Sequence, residues 1–165
     1  MAKIVKKEDT RRVFIETLNK LSEKDPNIIV IICDVGFNYL DNPKNKFKVL
    51  NLGVTEQSSM IIASALALSG FKVYIYSMIN FVLFRPSEMV RNAVIKHSAN
   101  VKIIGVKGSE KYKFLGFSHN LLHDREDVDF CKNIGLKWHA PENNKEVEKV
   151  ILKTYRENSP CYIRL

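Results

Sequence analysis

Ile28-Ile29-Val30-Ile31-Ile32, followed by Cys33, is the longest unbroken apolar run in the chain. Consecutive β-branched residues favour a strand. A strand with no polar alternate needs cover on both faces, as in a buried parallel sheet. The sequence around it supplies helices. Between Thr10 and Lys24, Phe14, Thr17, Leu18 and Leu21 fall at i, i+3, i+4 and i+7, an amphipathic pattern stopped by Asp25-Pro26.

Beyond the run, Asp34 to Asn38 reads as a turn, Asp41 to Lys48 as a polar loop and Val49 to Leu52 as a short strand. Thr55 to Ser69 is helical and apolar on most of its circumference, which predicts a central helix ended by Gly70. Val73 to Tyr76 is the next strand. Pro86 suits the first turn of a helix reaching about His97, with Met89, Val90, Ala93 and Val94 inward. A strand over Val101–Val106, a loop over Lys107–Phe117 and a weaker helix over Asp124–Lys132 follow. Leu136–His139 reads as a strand, Asn143–Asn158 as a helix and Cys161–Leu165 as the closing strand. Alternating β and α segments with short connections predict an α/β fold, a three-layer α/β/α sandwich with a mainly parallel sheet. Residues 1–165 read as one domain. Ligands of such sheets sit beyond the carboxyl ends of strands. That directs attention to Asp34, the Gly53–Glu56 turn, the Ser77–Arg85 segment and the loop ending at His119.

Composition narrows the class. At 165 residues, with 45% hydrophobic and 27% charged content, the chain is an ordinary soluble globular protein with a core of its own. No apolar run approaches the ~18–20 residues of a membrane span. Residues 1–9 have no apolar signal core, and Met1 reads as a natural start. Cys33, Cys131 and Cys161 are an odd count without a close pair, which excludes a disulfide framework and a CxxC metal site and suggests a reduced, cytoplasmic protein. The net charge of +8, from 26 basic and 18 acidic residues, raises a nucleic-acid partner. The lysines are dispersed, and no RNP, zinc-finger or helix-turn-helix signature is present. A solvated surface, phosphorylated substrates or an acidic partner account for the charge, with neither nucleic acid nor membrane expected.

Gly105-Val106-Lys107-Gly108 lacks both the Rossmann spacing and the Walker ending. His119 and His123 stand four apart, a zinc spacing on a helix, without a third ligand, so no metal site is expected in the chain. Glu56 follows Thr55, a candidate N-cap. Either it is a carboxylate favoured by the helix terminus, or a partly desolvated carboxyl able to exchange a proton or bind a heterocycle. Phe81, Phe84 and Arg85 are either core filling and surface, or a stacking wall for a flat ring.

At these positions the chain resembles the pyrimidine-binding domain of transketolase-like thiamine diphosphate enzymes, above all the split, two-subunit transketolases. Asn51-Leu52-Gly53-Val54-Thr55-Glu56-Gln57 is similar to the family's N-x-G-x-x-E-Q turn, and Ala63 to Gly70 to its A-x-A-L-A-x-x-G helix. Asn80-Phe81-Val82-Leu83-Phe84-Arg85 and Val90-Arg91-Asn92 resemble the aromatic segment and its helix. Leu115-Gly116-Phe117-Ser118-His119 resembles the G-x-[ST]-H loop, and Pro160-Cys161-Tyr162-Ile163-Arg164-Leu165 the closing P-x-Y-I-R-L strand. The likeness runs from about Thr10 to Leu165.

The resemblance implies a thiamine diphosphate-binding fold and transfer of a two-carbon ketol unit from a ketose or ketose phosphate to an aldose. Glu56 would hydrogen-bond a ring nitrogen of the aminopyrimidine and favour the imino tautomer that takes the thiazolium proton. Phe81 and Phe84 would wall the pyrimidine, with Asp34 near its pocket. His119 would donate a hydrogen bond to substrate, and Arg85 would touch substrate or cofactor. Met78 stands where some members carry an aromatic, and Leu115 where some carry an acid. The chain has no Gly-Asp-Gly…Asn segment, the family's magnesium–diphosphate site, and ends where a C-terminal domain would begin. The resemblance therefore implies a partner subunit holding Mg²⁺ and the diphosphate in a hetero-oligomer. A deoxyxylulose-phosphate-synthase-like or 2-oxoacid enzyme, or a non-catalytic assembly partner, are the alternatives.

Overall fold

The computed structural model describes residues 9–40, 42–108 and 110–165, and only the backbone of Phe37, Asn38, Glu110 and Lys111. The stretch read for a signal peptide lies outside the described residues up to position 8. Six strands form one sheet, every pairing parallel: β1 (Ile28–Ile32), β2 (Lys48–Asn51), β3 (Lys72–Met78), β4 (Val101–Val106), β5 (Trp138–His139) and β6 (Cys161–Arg164). Their order is β2-β1-β3-β4-β6-β5. The apolar run is β1, buried along its whole length between β2 and β3.

Side chains alternate across a strand, so β1 feeds two cores. Ile28, Val30 and Ile32 join Phe14, Leu18, Val147 and Ile151 under α1 (Thr10–Ser22) and α6 (Asn144–Arg156). Ile29 and Ile31 join Met60, Ala63, Val90 and Cys131 on the opposite face, under α3 (Glu56–Leu68) and α5 (Glu126–Asn133). Each fully buried aliphatic contributes about 1.5–3 kcal/mol relative to exposure. Steps from β1 to β2 and from β5 to β6 run one way along the sheet, through α2 (Phe37–Leu40) and α6 on the α1 face. The three opposite steps use helices on the other face. Tying direction to face in this manner gives every crossover the same hand.

Two elements differ from expectation. The helix expected from Pro86 does start there, at Ser87 with Pro86 as its N-cap, but a further helical turn precedes it. The chain is helical from Asn80, in a π-helical turn (Asn80–Phe84), a short α4 (Ser87–Met89) and a second π-helical turn (Val90–Ile95). The Arg85 amide donates to the carbonyl of Asn80, five residues back. Proline in a regular helix clashes with the carbonyl four residues earlier and lacks an N–H. Pro86 avoids that conflict by standing between the two helical pieces, at φ −92° and ψ 23°, where its carbonyl accepts from the Val90 amide at 2.9 Å.

Nor is α3 central within this chain. Glu56, Ser59, Met60, Ala63 and Ser64 are buried, while Ile61, Ile62 and Leu68 are exposed. Hydropathy predicted cover for these side chains that the described residues of this chain do not provide. Elsewhere the boundaries fall within a few residues of expectation. The loop after β4 contains a 3-10 segment (Glu110–Ser118) broken at Gly116, whose φ is 60°.

Candidate active site

The strand order reverses beside β1, so the carboxyl ends of β1 and β3 flank a topological switch point, where a crevice forms. Glu56, the first residue of α3, is only 2% exposed there. An isolated buried carboxylate is costly, and Arg85 compensates it. A single guanidinium nitrogen, Nη1, donates to both Glu56 oxygens, at 2.7 Å (Oε1) and 2.8 Å (Oε2). The Arg85 side chain is 42% exposed, so the pair joins a buried anion to a solvated cation. Thr55 occupies the N-cap position without capping through its side chain. Its hydroxyl donates to the Leu52 carbonyl at 2.8 Å, which shapes the turn leading into Glu56.

Arg85 rests on Phe81, with the guanidinium carbon 4.3 Å from the ring centroid, a cation–π contact. The other neighbour of Phe81 is His119, nearly perpendicular at 83° with centroids 4.9 Å apart. Tyr112 lies roughly parallel to the imidazole at 6.2 Å. Glu56, Arg85, Phe81 and His119 thus form one continuous chain of contacts from α3 to the loop after β4.

His119 Nδ1 lies 2.7 Å from the Ser118 hydroxyl, which also lies 2.8 Å from the Leu115 carbonyl. A carbonyl only accepts, so the single hydroxyl hydrogen goes to Leu115. The Nδ1 contact is then N–H to Oγ, an assignment that follows from the network. Neutral His119 therefore offers Nε2 as an acceptor, and the ring donates from Nε2 only as imidazolium.

Two expected residues stand apart from this group. Phe84 turns toward α5, edge-to-face with Phe130 at 5.5 Å and 88°, and packs against the core under that face. Asp34 follows β1 in a left-handed conformation, φ 54°, and its amide donates to Asn51 Oδ1 at 3.2 Å. Asn51 Oδ1 also accepts from the Gly53 amide at 3.0 Å and so ties the β1 exit to the turn before Glu56.

Sequence reasoning passed over Cys33 and Ser118. Cys33 is buried, and burial first, with the Glu56 charge, pushes the thiol's pKa up against the opposing influence of Ser59 and Arg85. Position at a strand's carboxyl end was the one signal for Cys33. Ser118 stands at the [ST] place of the G-x-[ST]-H resemblance, which gave it no role of its own.

The closing strand is tied to α5 through Tyr162. The Tyr162 hydroxyl donates to the buried Asp127 Oδ2 at 2.6 Å, and Arg164 Nε lies 3.2 Å from the same oxygen. Burial comes first among the causes that raise the Tyr162 phenol far above its ordinary pKa. Gly105 makes room for this ring, because a Cβ there would fall 2.7 Å from Tyr162 and 3.0 Å from Ile79. Among the described residues no group of three or more His, Cys, Asp or Glu side chains could hold a metal ion, and no helix is long and apolar enough to cross a membrane.

The sequence pattern of one family, described as transketolase, pyrimidine binding domain, matches residues 6–165. The chain belongs to that family. Its relatives include one subunit of the apulose-4-phosphate transketolase of Phocaeicola vulgatus, 31% identical over 160 residues, which cover 94% of this chain and 50% of that protein. A putative transketolase C-terminal section of Methanocaldococcus jannaschii is 28% identical over 158 residues, 94% of this chain and 49% of that protein. The chain thus spans about half the length of these relatives. Among solved structures, a split gene transketolase described as an inactive beta4 tetramer superposes with a TM-score of 0.80 at 24% identity, over 94% of this chain and 50% of that one. The transketolase of Campylobacter jejuni superposes at 0.77 and 16% identity, over 95% and 25%. This is the all-parallel α/β fold of transketolase pyrimidine domains.

Proposed function

We propose that the chain is the pyrimidine-binding half of a two-subunit, thiamine diphosphate-dependent transketolase-type enzyme, completed by a subunit that holds Mg²⁺ and the diphosphate. It moves a two-carbon ketol unit from a ketose or ketose phosphate to an aldose. The observation that carries this reading is Glu56, a carboxylate buried beside the switch point, in a turn similar to the family's N-x-G-x-x-E-Q pattern. A carboxylate has about four lone-pair sites. One Arg85 nitrogen bridging both oxygens leaves acceptor capacity for a ring donor, so the residues fit the cofactor's pyrimidine.

When bound, thiamine diphosphate supplies a carbanion-stabilising centre for the two-carbon fragment. The chain's own residues do the rest. Glu56 holds a proton at a ring nitrogen, and Arg85 keeps the buried charge compensated. Phe81 spaces Arg85 from His119. His119 accepts a proton from a substrate hydroxyl through Nε2 and returns it as imidazolium.

The partner is supported by the outward face of α3, where Ile61 is 48% and Leu68 59% exposed, and by Val54, 65% exposed in the turn that leads into the helix. Apolar patches of this kind mark interaction surfaces. The Phocaeicola vulgatus relative, named as one subunit of a transketolase, agrees. Apulose 4-phosphate, also in that name, is the first donor to try.

The test is titration of thiamine diphosphate with Mg²⁺ by calorimetry. The chain is titrated alone, then with a co-purifying subunit that carries Gly-Asp-Gly…Asn. Binding by the pair and not by the chain alone is expected. Tight binding by the chain alone, or none by the pair, overturns the half-site reading.

A further inference from the structure

The loop that carries His119 is tied to itself. Asn120 Nδ2 donates to the carbonyls of Tyr112 at 2.9 Å and Gly116 at 2.8 Å, closing the loop's base. These bonds set its shape without reaching the opposite wall of the crevice. Asn80 does reach it. From the first position of the π-helical turn after β3, its Nδ2 donates to the Phe117 carbonyl at 2.9 Å and the Asn120 carbonyl at 3.2 Å. Those two carbonyls bracket Ser118 and His119.

Both acceptors are carbonyl oxygens, so the amide must turn its NH₂ toward them, with one hydrogen for each. Aspartate has no hydrogen to offer there, serine or threonine has one, and leucine has none. The position needs two donors on one atom at the end of a short side chain.

We infer that Asn80 is the positioning residue for His119. It fixes the spacing between the two walls of the crevice, so that the imidazole meets the edge of Phe81 at 4.9 Å, while Arg85 and Glu56 follow on the far side of that ring. Its catalytic weight rests on the reading of His119 as the substrate-side group. A displacement of about 1 Å in such a site can cost roughly 100-fold in rate.

Asn80→Ala and the isosteric Asn80→Asp test this in the full chain. The His119 imidazole resonances are first identified by NMR from their loss in His119→Gln. Both Asn80 variants are expected to shift them while leaving those of His97 and His139 in place, with the circular dichroism unchanged. In the assembled enzyme, Asn80→Ala lowers kcat for ketol transfer by roughly 10- to 100-fold. It adds almost nothing in a His119→Ala background, the signature of two residues acting as one unit. Unmoved His119 resonances in both variants, or a loss that simply adds to that of His119→Ala, overturns the inference. Normal transfer by His119→Ala alone, with shifted resonances in the Asn80 variants, removes the substrate-side reading of His119 and leaves the positioning contact standing.

Discussion

Helices α3 and α6 are both 13 residues long and cover opposite faces of one sheet, yet they are built inside out relative to each other. α6 buries Val147, Ile151 and Thr154 and turns Lys149, Lys153 and Arg156 to water. Its Asn143 N-cap accepts from the Glu146 amide at 3.0 Å, and its basic last turn suits the helix dipole. α3 buries polar groups, Glu56, Ser59 and Ser64, and exposes Ile61, Ile62 and Leu68. The buried polar groups have partners: Ser64 Oγ donates to the Ala93 carbonyl at 2.7 Å, and Glu56 pairs with Arg85. One helix is completed by its own chain. The other turns polar groups inward and leaves apolar side chains on its outer face.

Glu56 is where the contrast is most easily broken. Glu56→Gln keeps shape and hydrogen-bonding length but removes the titrating group, so ketol transfer by the assembled enzyme should fall by at least about 100-fold. Thermal unfolding followed by circular dichroism should move little. An unchanged rate reduces Glu56 to a carboxylate at a helix terminus.

The outer faces come next. Ile61→Lys should weaken association with the diphosphate-binding subunit by about 2 kcal/mol or more if it lies at the centre of the contact. Lys149→Glu on α6 should change it by less than about 0.5 kcal/mol. Sedimentation of the mixed subunits reads both, and equal effects erase the distinction between the helices.

Arg85→Ala has a smaller expected effect. It leaves the Glu56 charge buried without its counter-ion, a loss discounted because Arg85 is half in water, and should cost about 1–2 kcal/mol in urea unfolding. Arg85→Lys should recover part of it. No change would mean that solvent already compensates Glu56.

The smallest effect is acid sensitivity on the α6 side. Burial first, then the charges of Lys137 and Lys153, lower the pKa of His139 below its ordinary 6.5. The unfolded chain therefore takes up that proton first, and stability falls as pH drops through 6.5 toward the lower folded value. The Lys137 hydrogen bond lowers the pKa of Glu157 below 4.5. Its contribution is present above 4.5 and is lost as pH falls through the depressed value. Melting temperature against pH should show two limbs, and His139→Gln should remove the upper one.

The sheet was legible because Ile28–Ile32 has one reading, burial on both faces, and the structure places it between two strands under two helical layers. Glu56 was legible as a desolvated helix-terminal carboxyl, although the reason offered, a central helix, does not hold in this chain. Its burial comes from the polar inner face of α3. The Glu56–Arg85 pair was not legible, since 29 residues separate the partners and no period links them. Phe84 shares the spacing of a ring wall with Phe81, but only three-dimensional packing decides that it faces Phe130. Pro86 marked the start of α4, and the helix does begin at Ser87, but no residue type announces the wider turn ahead of it.

That wider turn has a consequence for comparing chains of this kind. Around an ordinary helix each residue advances the next by about 100°. A π-helical turn accommodates an extra residue in the circuit, and here it lies between Asn80 and Phe84. Deleting one residue there would return the turn to the ordinary circuit and leave Arg85 facing nearly the same way, because five residues of a π turn and four of an α turn each close about one revolution. A one-position gap in an alignment at this point is therefore a change in the width of the turn, and two sequences that differ by it can share every motif on either side while presenting different side chains from the turn itself.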